Sequence, residues 1–527
     1  MAKFIFVTGG VVSGLGKGVT AASLARLLKA RGYRVTLQKF DPYFNVDTSN
    51  LSPYQHGEVY VTEDGGEVDL VVGHYERLLG ENLGIKNDVT SGQIYASVIA
   101  KERTGYYNGS TVQVVPHITN EIKERIYSLD TPDSDIVITE IGGTVGDIEC
   151  HPFLEAIRQF KVEAGKGNVL YIHVTLVPYI EMSGEQKTKP TQHSVKELQN
   201  VGIQPDVIVC RSDYPIGADS KRKLGLFCNV DHDCIIQNLT TDNIFTVPLA
   251  LEEEGLARVA ARKLRLEERE PDLDSWREFC EKAQRVHSSE NKLRIGLVGK
   301  YVELHDAYVS LTEALDHSGI AMDTCVEIVW IPSEKVTPAA VSRLQSLSGI
   351  VIPAGFGERG FEGKVNAARF ARENGIPALM LGMGAQAGLV EFARKCGMEK
   401  ANSTEFDKKT AYPVVYSPFE APRFRCGAEP ASVKKNTLLH KIYGTDIISE
   451  RHRHKYEFNP AFQRELEKEG LVFSVKGTAG KLYEAYELPG HPFYVGVVYR
   501  PEFKSRPDNP HPLITAFIGA AKERAEK

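Results

Sequence analysis

The chain has 527 residues, too many for one hydrophobic core, so two or more domains are expected. With 42% hydrophobic and 25% charged residues and a net charge of -6, it reads as an ordinary soluble protein. That balance excludes the overall basicity that draws a chain to nucleic acid. No uninterrupted apolar run is long enough to cross a membrane. No signal peptide is expected, because the first apolar segment runs straight into a glycine turn. Eight cysteines lie scattered without CxxC pairs, which points to reduced thiols in the cytoplasm.

The first predicted element organises the rest. Residues 4–7 form an apolar run, followed by Gly9, Gly10, Gly14, Gly16 and Gly18, by Lys17, and by Ala and Leu at helical spacing to Leu28. Strand, glycine loop and helix make a P-loop: glycines let backbone amides approach phosphate oxygens, and the lysine balances their charge. The interval from Gly10 to Gly16 is one residue longer than the standard pattern, and Gly18 stands where a Ser or Thr would hold magnesium. The metal must therefore be held from elsewhere. Residues 33–39 read as a second strand with Lys39 and Asp41 at its carboxyl end, where ligands of open α/β sheets gather. Residues 58–75 read as a long active loop, and 111–116 and 135–141 as buried strands. The second of these carries Glu140, a carboxylate where a P-loop protein usually ligates magnesium. A strand at 169–177 leads into Lys187, Lys189 and Lys196 with Thr188, Thr191 and Ser194. A run of lysines is usually a solvated helix face; Gly184 and Pro190 interrupt a helix here, which favours a second phosphate site. Strands at 207–211 and 244–247 complete a doubly wound α/β domain with a parallel sheet. Residues 251–292 turn charged and helical in spacing, as closing helices and a linker would. From residue 293 a second α/β unit opens, with strands at 293–298, 325–331, 349–353, 377–381 and 495–499.

VTGGVVSGLGKG, KFDPYFNVD, SPYQHGEVYVTEDG, GHYER, VQVVPHITN, EIGGTVGDIE, GEQKTKPTQHSVKEL and GIQPDVIVCRSD together resemble the amidoligase domain of the CTP synthase family. GKYVELHDAY, GFGERGFEGK, ANSTEF, RHRHKYEFN and RPEFKSRP resemble its class I glutamine amidotransferase domain. The resemblance covers essentially the whole chain and implies a synthetase domain at 1–265, a helical linker at 266–292 and an amidotransferase-type domain at 293–527. It implies that ATP phosphorylates the C4 oxygen of UTP and that ammonia displaces the phosphate to give CTP. Gly14, Leu15, Gly16, Lys17, Gly18 and Val19 would hold ATP. Ser13, Lys187, Thr188, Lys189, Pro190, Thr191, Gln192 and Lys223 would hold UTP. Lys39 would lie at the transfer site, and Glu140 would ligate Mg2+. Asp147, Ile148 and Glu149 match the family's site for the cytosine end of inhibitory CTP. Lys17, Lys39, Glu140 and Lys187 form the expected catalytic group, and a homotetramer is implied.

The sequence departs from that family at several positions. The nucleophile elbow reads IPALMLGMGAQAG, with Gly382 where the family has cysteine, and the triad histidine is replaced by Arg500 in YRPEF. Glu502 is the remaining triad member. Glycine offers no nucleophile, and a permanently protonated guanidinium is no base. Loss of either residue removes many orders of magnitude in rate. Ala354 replaces the first glycine of the oxyanion loop. Glu405 and Arg453, which match the family's glutamine contacts, are vestigial in this reading. In the synthetase half Val71 stands where the family has a magnesium-binding aspartate, and a hard cation takes oxygen rather than a methyl group. Thr104 replaces an arginine near the route by which ammonia would enter, and residues 45–50 read NVDTSN. The expected function is ATP-dependent amination of UTP with ammonia or another amine. The alternative is a non-catalytic nucleotide-binding paralogue that regulates an active partner.

Overall fold

The computed structural model describes residues 2–165, 167–419, 424–478 and 482–527. They form two compact units, Met1–Asn50 with Val71–Cys280, and Leu51–Leu70 with Glu281–Lys527.

The first unit is built on a parallel sheet of seven strands: β1 (Lys3–Gly9), β2 (Val35–Asp41), β3 (Asp88–Thr90), β4 (Ile136–Ile141), β5 (Val169–Leu176), β6 (Val207–Ser212) and β7 (Ile235–Leu239). Their spatial order is β7-β6-β5-β1-β4-β2-β3. Order reverses beside β1, the topological switch at which such sheets open a crevice. The inner strands are continuous apolar runs because helices cover both faces of a parallel sheet. The helices that bear on the site are α1 (Lys17–Ala30), α2 (Leu70–Leu79), α3 (Ser91–Arg103), α4 (Lys189–Asn200) and α5 (Ala218–Cys228).

Three expectations are corrected here. Residues 111–116 are not a strand: Val114–Ile118 is a wide helical turn with Val114 and Val115 44% and 46% exposed. Pro116 has no amide hydrogen to give a ladder, so the β-branched residues before it stay outside the sheet. Residues 244–247 are not a strand either. The Asn243 side chain accepts from the Phe245 amide and starts a short turn that runs into a helix at Val247–Glu253. The strand of that region is β7, and the short β3 joins the opposite edge. Finally, residues 58–75 are not a loop: they hold a hairpin of Tyr60–Val61 with Glu67–Val68 and the start of α2.

A helix α6 (Asp274–His287) carries the chain into the second unit, whose nine-stranded sheet mixes directions. Its strands are β8 (Lys292–Gly299), β9 (Cys325–Pro332), β10 (Gly349–Ile352), β11 (Ala378–Leu381), β12 (Arg425–Val433), β13 (Ile447–His454), β14 (Val472–Gly477), β15 (Tyr483–Glu487) and β16 (Tyr494–Val497), in the order β9-β8-β10-β11-β16-β15-β14-β12-β13. The pairings from β9 to β16 are parallel and those from β16 to β13 antiparallel. Two helices pack near its parallel part, α7 (Phe361–Glu373) and α8 (Met383–Lys395). The hairpin at 60–68 belongs to this unit. Buried Arg451 on β13 donates to the Val61 carbonyl at 3.0 Å and to the Tyr60 hydroxyl at 2.9 Å, and pairs with Glu63 at 2.9 Å. Arg453 pairs with Glu67 at 2.8 Å. Among the described residues, no helix is long and apolar enough to cross a membrane.

Helix α8 is buried from Met383 to Ala393 and lies so close to β10 that a β-carbon on Gly384 would sit 1.9 Å from the Ile352 carbonyl oxygen. Backbone cannot yield as a side-chain tip can. Gly384→Ala is expected to destabilise the second unit by about 3 kcal/mol, read by urea unfolding of the full chain.

Candidate functional site

The first unit gathers its polar groups at the carboxyl edge of the sheet. The glycine loop leaves β1 with Gly14 and Gly16 at φ of 76° and 84°, left-handed values that admit glycine without strain, and α1 starts at Lys17. Lys17 is buried, and its ammonium donates to the Gly143 carbonyl at 2.8 Å. The Val145 amide donates to the Gly9 carbonyl at 2.9 Å, so the 142–147 loop is fastened to the P-loop. In the β2–β4 register Lys39 lies opposite Glu140, and its ammonium pairs with Asp41 at 3.1 Å.

A β-carbon at Gly18 would meet the Val71 methyl at 2.8 Å, a Glu140 carboxylate oxygen at 3.2 Å and the Tyr75 ring at 3.6 Å. Gly18 thus leaves room at the start of α1 where α2 brings Val71 and Tyr75 against Glu140. Tyr75 donates its hydroxyl to Glu140. Magnesium usually takes one or two carboxylates, substrate phosphates and water. The donor set fits that pattern with Glu140 as the carboxylate, while Val71 presents hydrocarbon at the same spot.

The second phosphate region is partly rigid and partly open. Thr191 donates to the Leu176 carbonyl at 2.9 Å, and Gln192 donates to the Thr188 hydroxyl at 3.0 Å. These three side chains are buried and hold the start of α4 in place. Lys187 pairs with Glu185, whose carboxyl is held below its usual range by Lys187 first and also by Lys223. Lys189 lies over the Phe227 ring of α5, the helix that carries Lys223. The structure therefore brings Lys187, Lys189 and Lys223 into one neighbourhood. Ser13, Ile148 and Glu149 are exposed, and Asp147 accepts from the Thr144 amide at 2.6 Å. Thr104 caps α3, donating to the carbonyls of Ala100 and Lys101.

Sequence reasoning missed Tyr75, although it lies within the quoted GHYER, and a buried relay behind the P-loop. The Thr8 hydroxyl meets His173 Nδ1 at 2.9 Å, and His173 Nε2 meets the Ser194 hydroxyl at 2.8 Å. Burial first, then the Lys17 charge, pushes His173 down to about 3, so the ring is neutral and links β1, β5 and α4 through one donor and one acceptor nitrogen. A histidine inside the apolar run 169–177 was the available signal.

In the second unit Gly382 forms the turn between β11 and α8 at φ 52°, ψ -115°. A β-carbon there would lie 3.0 Å from that of Ala354. Arg500 Nε donates to Glu502, and both side chains are buried. Cys396 lies at the far end of α8, and burial pushes the Cys426 thiol on β12 up to about 12. Glu405 accepts from the Gly357 amide at 2.9 Å, and the Arg453 guanidinium stacks over Phe356 at 5.0 Å.

Comparison with known proteins agrees with this geometry. The family model "CTP synthase N-terminus" matches residues 3–266, and "Glutamine amidotransferase class-I" matches residues 303–520. A CTP synthase of Ruminiclostridium cellulolyticum is 56% identical over 535 residues, covering 100% of this chain and 99% of that protein. A CTP synthase of Methanocaldococcus jannaschii is 54% identical, covering 98% of each.

Because His173 is depressed in the folded chain, the unfolded chain binds its proton first. The stability this group contributes is complete above the ordinary histidine value of about 6.5 and is lost as pH falls toward 3, at about 1.4 kcal/mol per pH unit. Unfolding free energies of wild type and His173→Gln between pH 6.5 and 5 are expected to differ in slope by one proton.

Proposed function

Because the chain belongs to the CTP synthase family, we propose that it is an ATP-dependent C–N ligase that aminates C4 of UTP through a 4-phosphorylated intermediate. It takes ammonia or another amine directly, since its own second unit does not hydrolyse glutamine. The observation that carries this reading is a contrast between two sites. Lys17, Lys39 and Glu140 remain buried together at the sheet edge, while the elbow has Gly382 and the base position has Arg500 locked to Glu502.

In this reading the C4 oxygen of uracil attacks the γ-phosphorus of ATP, the N3 proton passes to solvent and ADP departs. Lys17 and Lys39 offset the charge of the transferring group, and the buried setting strengthens them against water. The amine then adds at C4 and loses a proton, and phosphate leaves with the electrons of the C4–O bond. Magnesium held by Glu140 would neutralise charge on the β- and γ-phosphates. Lys187, Lys189 and Lys223 hold the UTP triphosphate, and CTP inhibits through Asp147, Ile148 and Glu149. The protein works in the cytoplasm as a homotetramer in the same proposal.

A second reading has one specific observation in its favour, the Val71 methyl beside Glu140. In that reading the chain binds nucleotides without turnover and regulates an active CTP synthase partner.

Purified chain with ATP, UTP and magnesium is expected to form CTP and ADP with ammonium chloride, and nothing above background with glutamine. Lys17→Ala is expected to lower kcat by about a hundredfold or more. Val71→Asp is expected to lower the magnesium concentration needed for half-maximal rate. Absence of ADP and CTP with ammonium, while UTP still binds, would overturn the ligase reading in favour of the second.

A further inference from the structure

Gly10, which follows β1, has no room for a side chain. A β-carbon there would sit 1.8 Å from the Ser194 hydroxyl oxygen and 3.2 Å from a Val145 methyl. The glycine loop therefore lies directly against the second turn of α4 and against the 142–147 loop. The Gly10 amide donates to the Val174 carbonyl of β5 at 3.2 Å, and Thr191 hangs the first turn of α4 from the Leu176 carbonyl of the same strand. Strand β5 is thus the common support of the two phosphate regions.

Hydrogen bonds back this contact. Thr8 and His173 are register partners in β1 and β5, and Thr8, His173 and Ser194 are all buried. A neutral imidazole carries a single N–H, so one ring nitrogen donates and the other accepts. Each neighbour is a hydroxyl that can do either. With Nδ1 on Thr8 and Nε2 on Ser194, one hydroxyl must accept from the ring while the other donates to it, so the orientation of one fixes that of the other. A histidine kept only for packing needs no such pairing. Here both nitrogens are spent on residues that flank the phosphate regions: Thr8 immediately precedes Gly9, and Ser194 follows Gln192 on α4.

On the reading that the glycine loop takes ATP and residues 187–192 take UTP, we propose that His173 is a positioning residue that joins the two phosphate sites of one chain into a single rigid body. The ring touches neither nucleotide and acts through Thr8 and Ser194. Ordering the glycine loop around one triphosphate holds Ser194, and with it the start of α4, in the arrangement the other triphosphate needs. The second nucleotide then loses less conformational entropy on binding. Linkage makes the effect equal in both directions. The same joint sets the distance from the γ-phosphorus to the acceptor nucleotide, where a misplacement of about 1 Å costs about a hundredfold in rate.

Calorimetric titration of the full chain with a non-hydrolysable ATP analogue and magnesium, without and with saturating UTP, tests this in the absence of turnover. Conditions are chosen by light scattering to give one assembly state throughout, which keeps coupling through assembly out of the result. UTP is expected to tighten the analogue by at least about fivefold. Thr8→Val keeps the side-chain shape and removes the hydroxyl; it is expected to cut that factor below about twofold, with each nucleotide alone bound within about threefold of wild type. Thr8→Ser loses a methyl and keeps the hydroxyl, and is expected to retain the wild-type factor. A packing role would give the opposite order. His173→Gln, which reaches Ser194 and leaves Thr8 without its partner, is expected to match Thr8→Val and replaces it if that variant does not fold. Wild type without coupling, Thr8→Val or His173→Gln with full coupling, or Thr8→Ser reduced as far as Thr8→Val would overturn the proposal. A chain that binds neither nucleotide overturns this proposal and the ligase reading together, whereas CTP formation from ammonium judges the ligase reading alone.

Discussion

Parallel pairing of β1 with β4 and of β4 with β2 is the constraint on which the first unit depends. All carboxyl ends of a parallel sheet lie along one edge, so the glycine loop, the residues after Lys39 and the 142–147 loop have no other place to go. Register then does the fine positioning. It sets Glu140 beside both Val7 and Lys39, and the Val145 amide on the Gly9 carbonyl locks two loops that are far apart in sequence. A lysine is expensive to bury without a partner, and the Gly143 carbonyl supplies one for Lys17. The same contact holds the ammonium within the cradle that a triphosphate would enter.

In the second unit the turn between β11 and α8 is built on Gly382 at a positive φ. A left-handed turn between β11 and α8 is demanding for any residue other than glycine, and Gly382 relieves it. Crowding by Ala354 points the same way, because a β-carbon at 382 would press on that methyl. Arg500 and Glu502 form a close buried pair, which satisfies a charge that would otherwise be stranded. The glycine, the alanine and the ion pair each fit the others.

Much of the first unit was legible because its signals are local. A glycine loop between a strand and a helix is defined by covalent geometry, and strands such as 169–177 announce themselves as unbroken apolar runs. The failures are equally physical. The 111–116 segment has the composition of a strand, but ladder donors are counted by partners, and Pro116 has none to give. β3 and β7 are short, so their pattern is weak without neighbours. The Thr8, His173 and Ser194 relay joins residues 165 and 21 positions apart, and its meaning exists only when the strands are paired. The expectation at Gly382 and Arg500 rests on residue identity alone, since neither side chain offers a nucleophile or a base.

The hairpin at 60–68 carries a consequence for how the protein is made. Its arginine partners lie at 451 and 453, so the ribosome completes the hairpin long before its clasp exists. At ordinary translation rates the wait is roughly 20 to 80 seconds. Through that interval Glu63 and Glu67 have no arginine to pair with from β13. A nascent first unit can close its own sheet meanwhile, but the second waits until almost the last residues emerge. Separate expression of two pieces, cut at any single point between residues 70 and 451, would strand the hairpin on the piece that cannot hold it.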